Sequence, residues 1–178
     1  GTITSSSFES MAMDADGIHY DRTNDVLYQL NRTDNVIQAY SNVLTNLSNG
    51  MNPELTATST SDFTNGREIT VVEDRLIVAQ DASDGNGMVN QFVTYSISPT
   101  EITFLKSNTT SINLWGIQST VNNLYAIIDN SSKLAVFENF LDADEGMIEP
   151  SREIEIEGII RTHGITFVPD LDLMLLLN

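Results

Sequence analysis

The sequence predicts an all-β fold: a β-propeller of four-stranded antiparallel blades, with an incomplete ring in one chain. Three observations carry this reading. Apolar residues recur in short alternating runs, and nowhere does an i, i+3, i+4, i+7 pattern persist over three turns. Turn-forming clusters separate the runs, among them Thr23-Asn24-Asp25, Asp84-Gly85-Asn86-Gly87 and Asp129-Asn130-Ser131-Ser132. Finally, Gly17, Gly66, Gly116 and Gly164 stand 49, 50 and 48 residues apart, and each opens a similar unit.

The units align strand by strand. The first reads Gly17-Ile18-His19-Tyr20 and then Asp25-Val26-Leu27-Tyr28. The second reads Gly66-Arg67-Glu68-Ile69 and then Asp74-Arg75-Leu76-Ile77. Gly116-Ile117-Gln118-Ser119 is followed by Asn122-Asn123-Leu124-Tyr125, and Gly164-Ile165-Thr166-Phe167 by Asp170-Leu171-Asp172-Leu173. Third strands are expected at 36–40, 92–97 and 134–137, and fourth strands at 55–59, 102–105 and 154–156. The repeats run over about 14–62, 63–112 and 113–160, with an incomplete unit at 161–178. A glycine suits the innermost strand, where neighbouring blades crowd around a channel and a bare backbone permits close approach.

An arc of about three and a half blades cannot close, because propellers need roughly four to eight. The reading therefore expects either a missing remainder of the ring or self-association of two copies. In a paired ring, residues 2–8 would add to the partner's incomplete blade. Leu175 and Leu177 are expected to lie exposed at the open end.

Composition narrows the function. Among 178 residues, 8 Lys+Arg against 25 Asp+Glu give a net charge of −17. Nucleic acid and anionic membranes are disfavoured, since their recognition needs clustered cations. Cations, neutral glycans, peptides or a basic protein surface fit better. There is no cysteine, hence no disulfide, thiol nucleophile or zinc–thiolate site. The longest apolar run, 173–177, is far short of a membrane span. An acidic, Lys-poor surface rich in Ser, Thr and Asn suggests an exported protein, in an extracellular, periplasmic or cell-surface setting. No targeting segment is visible in Gly1-Thr2-Ile3-Thr4-Ser5-Ser6-Ser7.

Between the third and fourth units, Asp142-Ala143-Asp144-Glu145-Gly146 leads through Pro150-Ser151-Arg152 and Ile154-Glu155-Ile156-Glu157-Gly158 to His163-Gly164-Ile165-Thr166-Phe167. This stretch resembles the repeat of NHL-like propellers: a Gly-containing turn, a Pro followed by Arg, an apolar strand ending in Gly, then a Gly-Ile inner strand. The likeness covers about 134–175 well and the other units more loosely. The second unit lacks the Gly-Ile pair. The strand-ending Asp of the family is matched at Asp21, replaced by Glu73 and shifted to Asp170 in the last unit. Because the family includes interaction platforms, cell-surface proteins and some enzymes, the resemblance implies fold rather than activity.

Radial equivalence supplies the site expectation. The residues preceding the four glycines are Asp16, Asn65, Trp115 and His163. Two residues further upstream lie Asp14, Phe63, Asn113 and Arg161. Together they are expected to ring one mouth of the channel and bind a ligand there. The leading function is a non-enzymatic binding or protein-interaction platform. The alternative is a metal-assisted hydrolase or lactonase, with His163, Asp16 and Asn65 around a divalent cation. His19, the other histidine, lies inside its strand. Acidic loops add a calcium candidate at Asp142, Asp144 and Glu153. There is no nucleophile elbow and no phosphate-cradling glycine loop. The Asn-x-Ser/Thr matches at Asn31, Asn46, Asn108 and Asn130 carry little weight in so Asn-rich a chain.

Overall fold

The structure, a computed structural model, describes residues 15–82, 88–158, 162, 164–168, 171 and 173–177. The described residues are nearly all β and form four antiparallel sheets in succession. The first comprises β1 (Ala15–Asp21), β2 (Val26–Asn31), β3 (Val36–Ser41) and β4 (Glu54–Thr58), hydrogen-bonded in chain order. The second follows the same order in β5 (Gly66–Val72), β6 (Arg75–Gln80), β7 (Gln91–Ser98) and β8 (Glu101–Thr109). The third contains β9 (Leu114–Ser119), β10 (Asn123–Ile128), β11 (Lys133–Glu138) and β13 (Arg152–Glu155). In the fourth, β14 (Gly164–Val168) pairs with β15 (Leu173–Leu177).

Each sheet is one blade. The inner strands β1, β5, β9 and β14 stand side by side, each packed on the next. Hydrophobic residues accordingly collect between blades. Val26, Tyr28 and Leu30 of β2 meet Leu76 and Val78 of β6, with Val93 and Tyr95 of β7 beside them. The alternate residues of β6, Ile77 and Ala79, face the third blade and pack with its Leu114, Ile117, Leu124 and Phe137. A strand buried on both faces must be apolar at successive positions, which is why 76–79 reads Leu-Ile-Val-Ala. Full burial of Leu76 contributes roughly 1.5–3 kcal/mol.

Two of the repeated glycines sit where one blade presses close on the next. A Cβ on Gly17 would fall 2.9 Å from both Glu68 Oε1 and the Ile69 amide nitrogen of the second blade. One on Gly66 would meet Leu30 Cδ1 at 2.9 Å and Phe63 at 3.0 Å. Gly164 differs, its nearest contact being Leu177 at 3.6 Å.

Polar ties join the blades elsewhere. Thr70 on β5 accepts from the Ser119 backbone N–H at 3.1 Å, and its hydroxyl meets the Ser119 hydroxyl at 2.9 Å. Thr56 on β4 donates to the Pro99 carbonyl at 2.6 Å.

Three short elements escape the strand pattern. The helix α1 (Val43–Ser48) hangs from Asp25, whose carboxylate accepts from the Leu44 and Thr45 amides at 2.8 and 3.1 Å. A 3₁₀ turn (Phe140–Asp142) buries Phe140 against Phe92 of the second blade. Beyond it, β12 (Gly146–Met147) adds in parallel to the outer edge of β8. The helix spans less than two turns and the other two elements two or three residues, too short for a periodic pattern to register.

The sheets do not close into a ring. Ile18, on β1, is 63% exposed. At the other end, Phe167 packs edge-on against Tyr125 with centroids 4.9 Å apart, while Leu175 and Leu177 on the opposite face are 52% and 66% exposed. Residues 2–8 lie outside the described residues. Among the described residues, no helix is long and apolar enough to cross a membrane.

Candidate functional site

At one end of the arc of blades, the starts of the inner strands and the β2–β3 turn build a cavity. Asp16, Arg32, Arg67, Glu68 and Trp115 line this cavity of about 330 Å³. Asp16 and Trp115 belong to the expected ring, and Asn65 joins them through hydrogen bonds. Arg32, Arg67 and Glu68 were not foreseen. Their signal was available: the chain has only 8 cationic side chains, and Arg67-Glu68 directly follows the second repeated glycine.

Asn65 is the hub. It is 7% exposed and adopts a left-handed backbone, φ 55°, which Asn tolerates better than most side chains. Its Nδ2 donates to the Asp81 carbonyl at 2.9 Å, and its Oδ1 accepts from Arg32 at 2.8 Å. Its backbone N–H donates to Asn35 Oδ1 at 3.1 Å. Arg32 also meets Asp16 Oδ2 at 3.1 Å, so its guanidinium ties the first blade to the entry of the second. Arg67 pairs with the wholly buried carboxylate of Asp81 at 3.2 Å. Its guanidinium carbon lies 5.2 Å from the centre of the Trp115 ring, a cation–π arrangement.

Glu68 is the unusual member. Burial, with the nearby Asp16 charge adding to it, pushes its carboxyl up to about 7, against one hydrogen bond from the Ile69 amide at 3.1 Å. It shares the cavity with two guanidiniums yet forms an ion pair with neither.

Other expected positions fall elsewhere. His163 and Arg161, with Asp14, lie outside the described residues. Asn113 does not line the cavity: its side-chain oxygen accepts from Asn90 at 3.1 Å, and its carbonyl from the Asp129 amide at 3.0 Å. Phe63 is buried in the core between the first two blades. His19 sits on β1, its pKa lowered by burial against the opposing pull of Asp21. Between Asp16 and Asn65, where the hydrolase alternative needs a metal, lies the guanidinium of Arg32.

The calcium candidates do not converge. Glu153, on β13, pairs with Lys133 at 2.7 Å. Asp142 and Asp144 flank Lys106, whose ammonium donates to the carbonyls of Leu141 at 2.9 Å, Phe140 at 3.4 Å and Ala143. A lysine thus holds the loop carbonyls that a cation would use. Among the described residues, no group of three or more His, Cys, Asp or Glu could hold a metal ion.

A second hollow of about 510 Å³ opens between the first two blades, lined by Asp62, Phe63, Thr64, Gln80 and Val89 among others. Gln80 organises it, accepting from the Thr64 amide at 2.7 Å and donating to the Val89 carbonyl at 2.8 Å.

No family model matches the sequence, and no curated protein matches it. Solved structures do. The chain is similar to the Cps50 (Swd1) β-propeller domain of Myceliophteria thermophila, at 11% identity and a TM-score of 0.56, over 85% of this chain and 43% of that one. It is similar to a chain of the nidogen/laminin complex at 13% identity and a TM-score of 0.58, over 88% and 53%. BamB from Moraxella catarrhalis gives 10% identity and a TM-score of 0.55, over 89% and 42%. At such identities the likeness shows the fold, a β-propeller. The chain spans about half the length of these neighbours, or less.

Proposed function

We propose that the chain is part of an exported or surface-exposed propeller, NHL-like in its repeats, that acts as a non-enzymatic binding platform through its channel mouth. The observation that supports this most is the cavity itself. Charged groups and an indole from three successive blades converge on it, held by Asn65 and Asp81. Rigid strands carrying polar groups at one open mouth suit recognition of a protein or glycan ligand. That a neighbour is seen in the nidogen/laminin complex accords with a binding role. Further blades complete the ring, covering Ile18 at one end and Leu175 and Leu177 at the other.

The test is amide-shift mapping on the full chain against peptide and oligosaccharide mixtures. Shifts clustered at residues 16, 32, 65–68 and 115 support the platform. Shifts confined to the opposite face, at the β1–β2 and β5–β6 turns, overturn the channel-mouth assignment.

A further inference from the structure

We propose that the channel-mouth cavity binds a small zwitterion of the α-amino acid class, its ammonium on Glu68 and Asp16 and its carboxylate on Arg32. The proposal deepens the platform reading and rests on it.

Charge carries the argument. Two guanidiniums and two carboxyl groups line one cavity of about 330 Å³, at the small end of ligand sites. Asp16 is satisfied by Arg32, and Asp81 holds Arg67 from behind. Glu68 remains. Among the described residues, its one hydrogen bond comes from the amide of its neighbour Ile69, and no cation compensates its charge. A half-buried carboxyl of this kind is stabilised by an ammonium brought to it. Arg32, meanwhile, has five N–H donors and directs one from each terminal nitrogen at Asp16 and Asn65. Its other N–H groups suit a carboxylate, as a planar guanidinium fork does.

The mixed charge of the lining, set in a chain of net charge −17, favours one ligand class. A simple anion would be repelled over the whole approach, and a simple cation would leave Arg32 without a new acceptor. A zwitterion carries no net charge and engages both signs. Trp115 supplies an apolar wall for its side chain.

Trp115 is the chain's single tryptophan, so its emission reports the cavity directly. The probes are L-leucine, its deaminated analogue 4-methylpentanoate and its decarboxylated analogue 3-methylbutylamine, each titrated into the full chain. Leucine is expected to bind at least about tenfold more tightly than either analogue. Glu68→Gln should cost leucine about tenfold and should not weaken 4-methylpentanoate, which loses a like charge in the cavity. Arg32→Met should cost leucine about as much and should not weaken 3-methylbutylamine, since it removes a cation and frees Asp16. Leucine binding should also strengthen from pH 6 to pH 8 as Glu68 ionises beside Asp16, Arg32 and Arg67, and Glu68→Gln should flatten that profile. The proposal is overturned if either analogue matches leucine, or if the variants leave the preference intact. If none of the three binds while peptide or glycan shifts still cluster at the mouth, the zwitterion falls and the platform stands. If those shifts are absent too, both fall.

Discussion

Arg32, in the turn after β2, donates a 2.8 Å hydrogen bond to Asn65, the residue that opens the second blade. The contact links positions 33 residues apart and fixes a turn of one blade to the entry of the next. Asn65 Oδ1 has this guanidinium as its partner, and the residue is almost wholly buried.

Arg32→Met should therefore lower stability by about 1–2 kcal/mol, most of it from the acceptor left behind on Asn65. The exposed ion pair with Asp16 adds little. Arg32→Lys should recover only part, because one ammonium cannot span Asp16 and Asn65 as a planar fork does. Urea unfolding of the three proteins measures both effects.

Gly17→Ala should destabilise by about 1–3 kcal/mol, because the new methyl meets a backbone nitrogen of the next blade at 2.9 Å. Gly164→Ala is the control. Its nearest neighbour is a side-chain atom at 3.6 Å, so the change should stay within about 0.5 kcal/mol. Thermal midpoints of the pair distinguish a crowded glycine from a merely repeated one.

Glu68 makes stability depend on pH in a defined direction. Its carboxyl titrates near 4.5 when exposed and is pushed up to about 7 in the fold. Between those values the folded state holds the extra proton, so raising the pH removes stability, and the loss is complete above about 7. Glu68→Gln should leave stability near pH 4 almost unchanged and raise it at pH 8 by about 1–3 kcal/mol. Denaturant titrations at the two pH values measure it. An equal effect at both would mean that packing, not charge, is at work.

Lys106→Met should detach the strap that runs from the third blade across the edge of the second. The ammonium holds the carbonyls of Phe140, Leu141 and Ala143, and burial lowers its pKa while Asp142 and Asp144 oppose that. Losing these bonds should cost about 1.5–3 kcal/mol. The more specific readout is hydrogen exchange at Ile148, whose amide donates to the Thr109 carbonyl at 2.8 Å beside β12. That amide should exchange faster while those of β6 keep their protection.

The blade pattern was legible because it is local. Alternating runs encode strands, Asx-type turns encode hairpins, and the repeated glycines encode crowding at Gly17 and Gly66, which one sequence displays without knowing its partners. Part of the mouth was legible on the same grounds: equivalent positions in equivalent blades placed Asp16 and Trp115 on one cavity, and Asn65 beside it. What the repeat could not supply were residues peculiar to one blade. Arg32 reaches the site from a turn, Arg67 and Glu68 enter it because β5 sits between two neighbours, and Asn113 turns aside to Asn90 although the register places it with the others. The fate of the acidic loop at 142–146 was likewise decided in three dimensions, by a lysine from another blade. Strand period and turn chemistry are properties of a few consecutive residues, whereas the charge state of Glu68 and the company of Arg32 depend on groups tens of residues away, which only packing brings within reach.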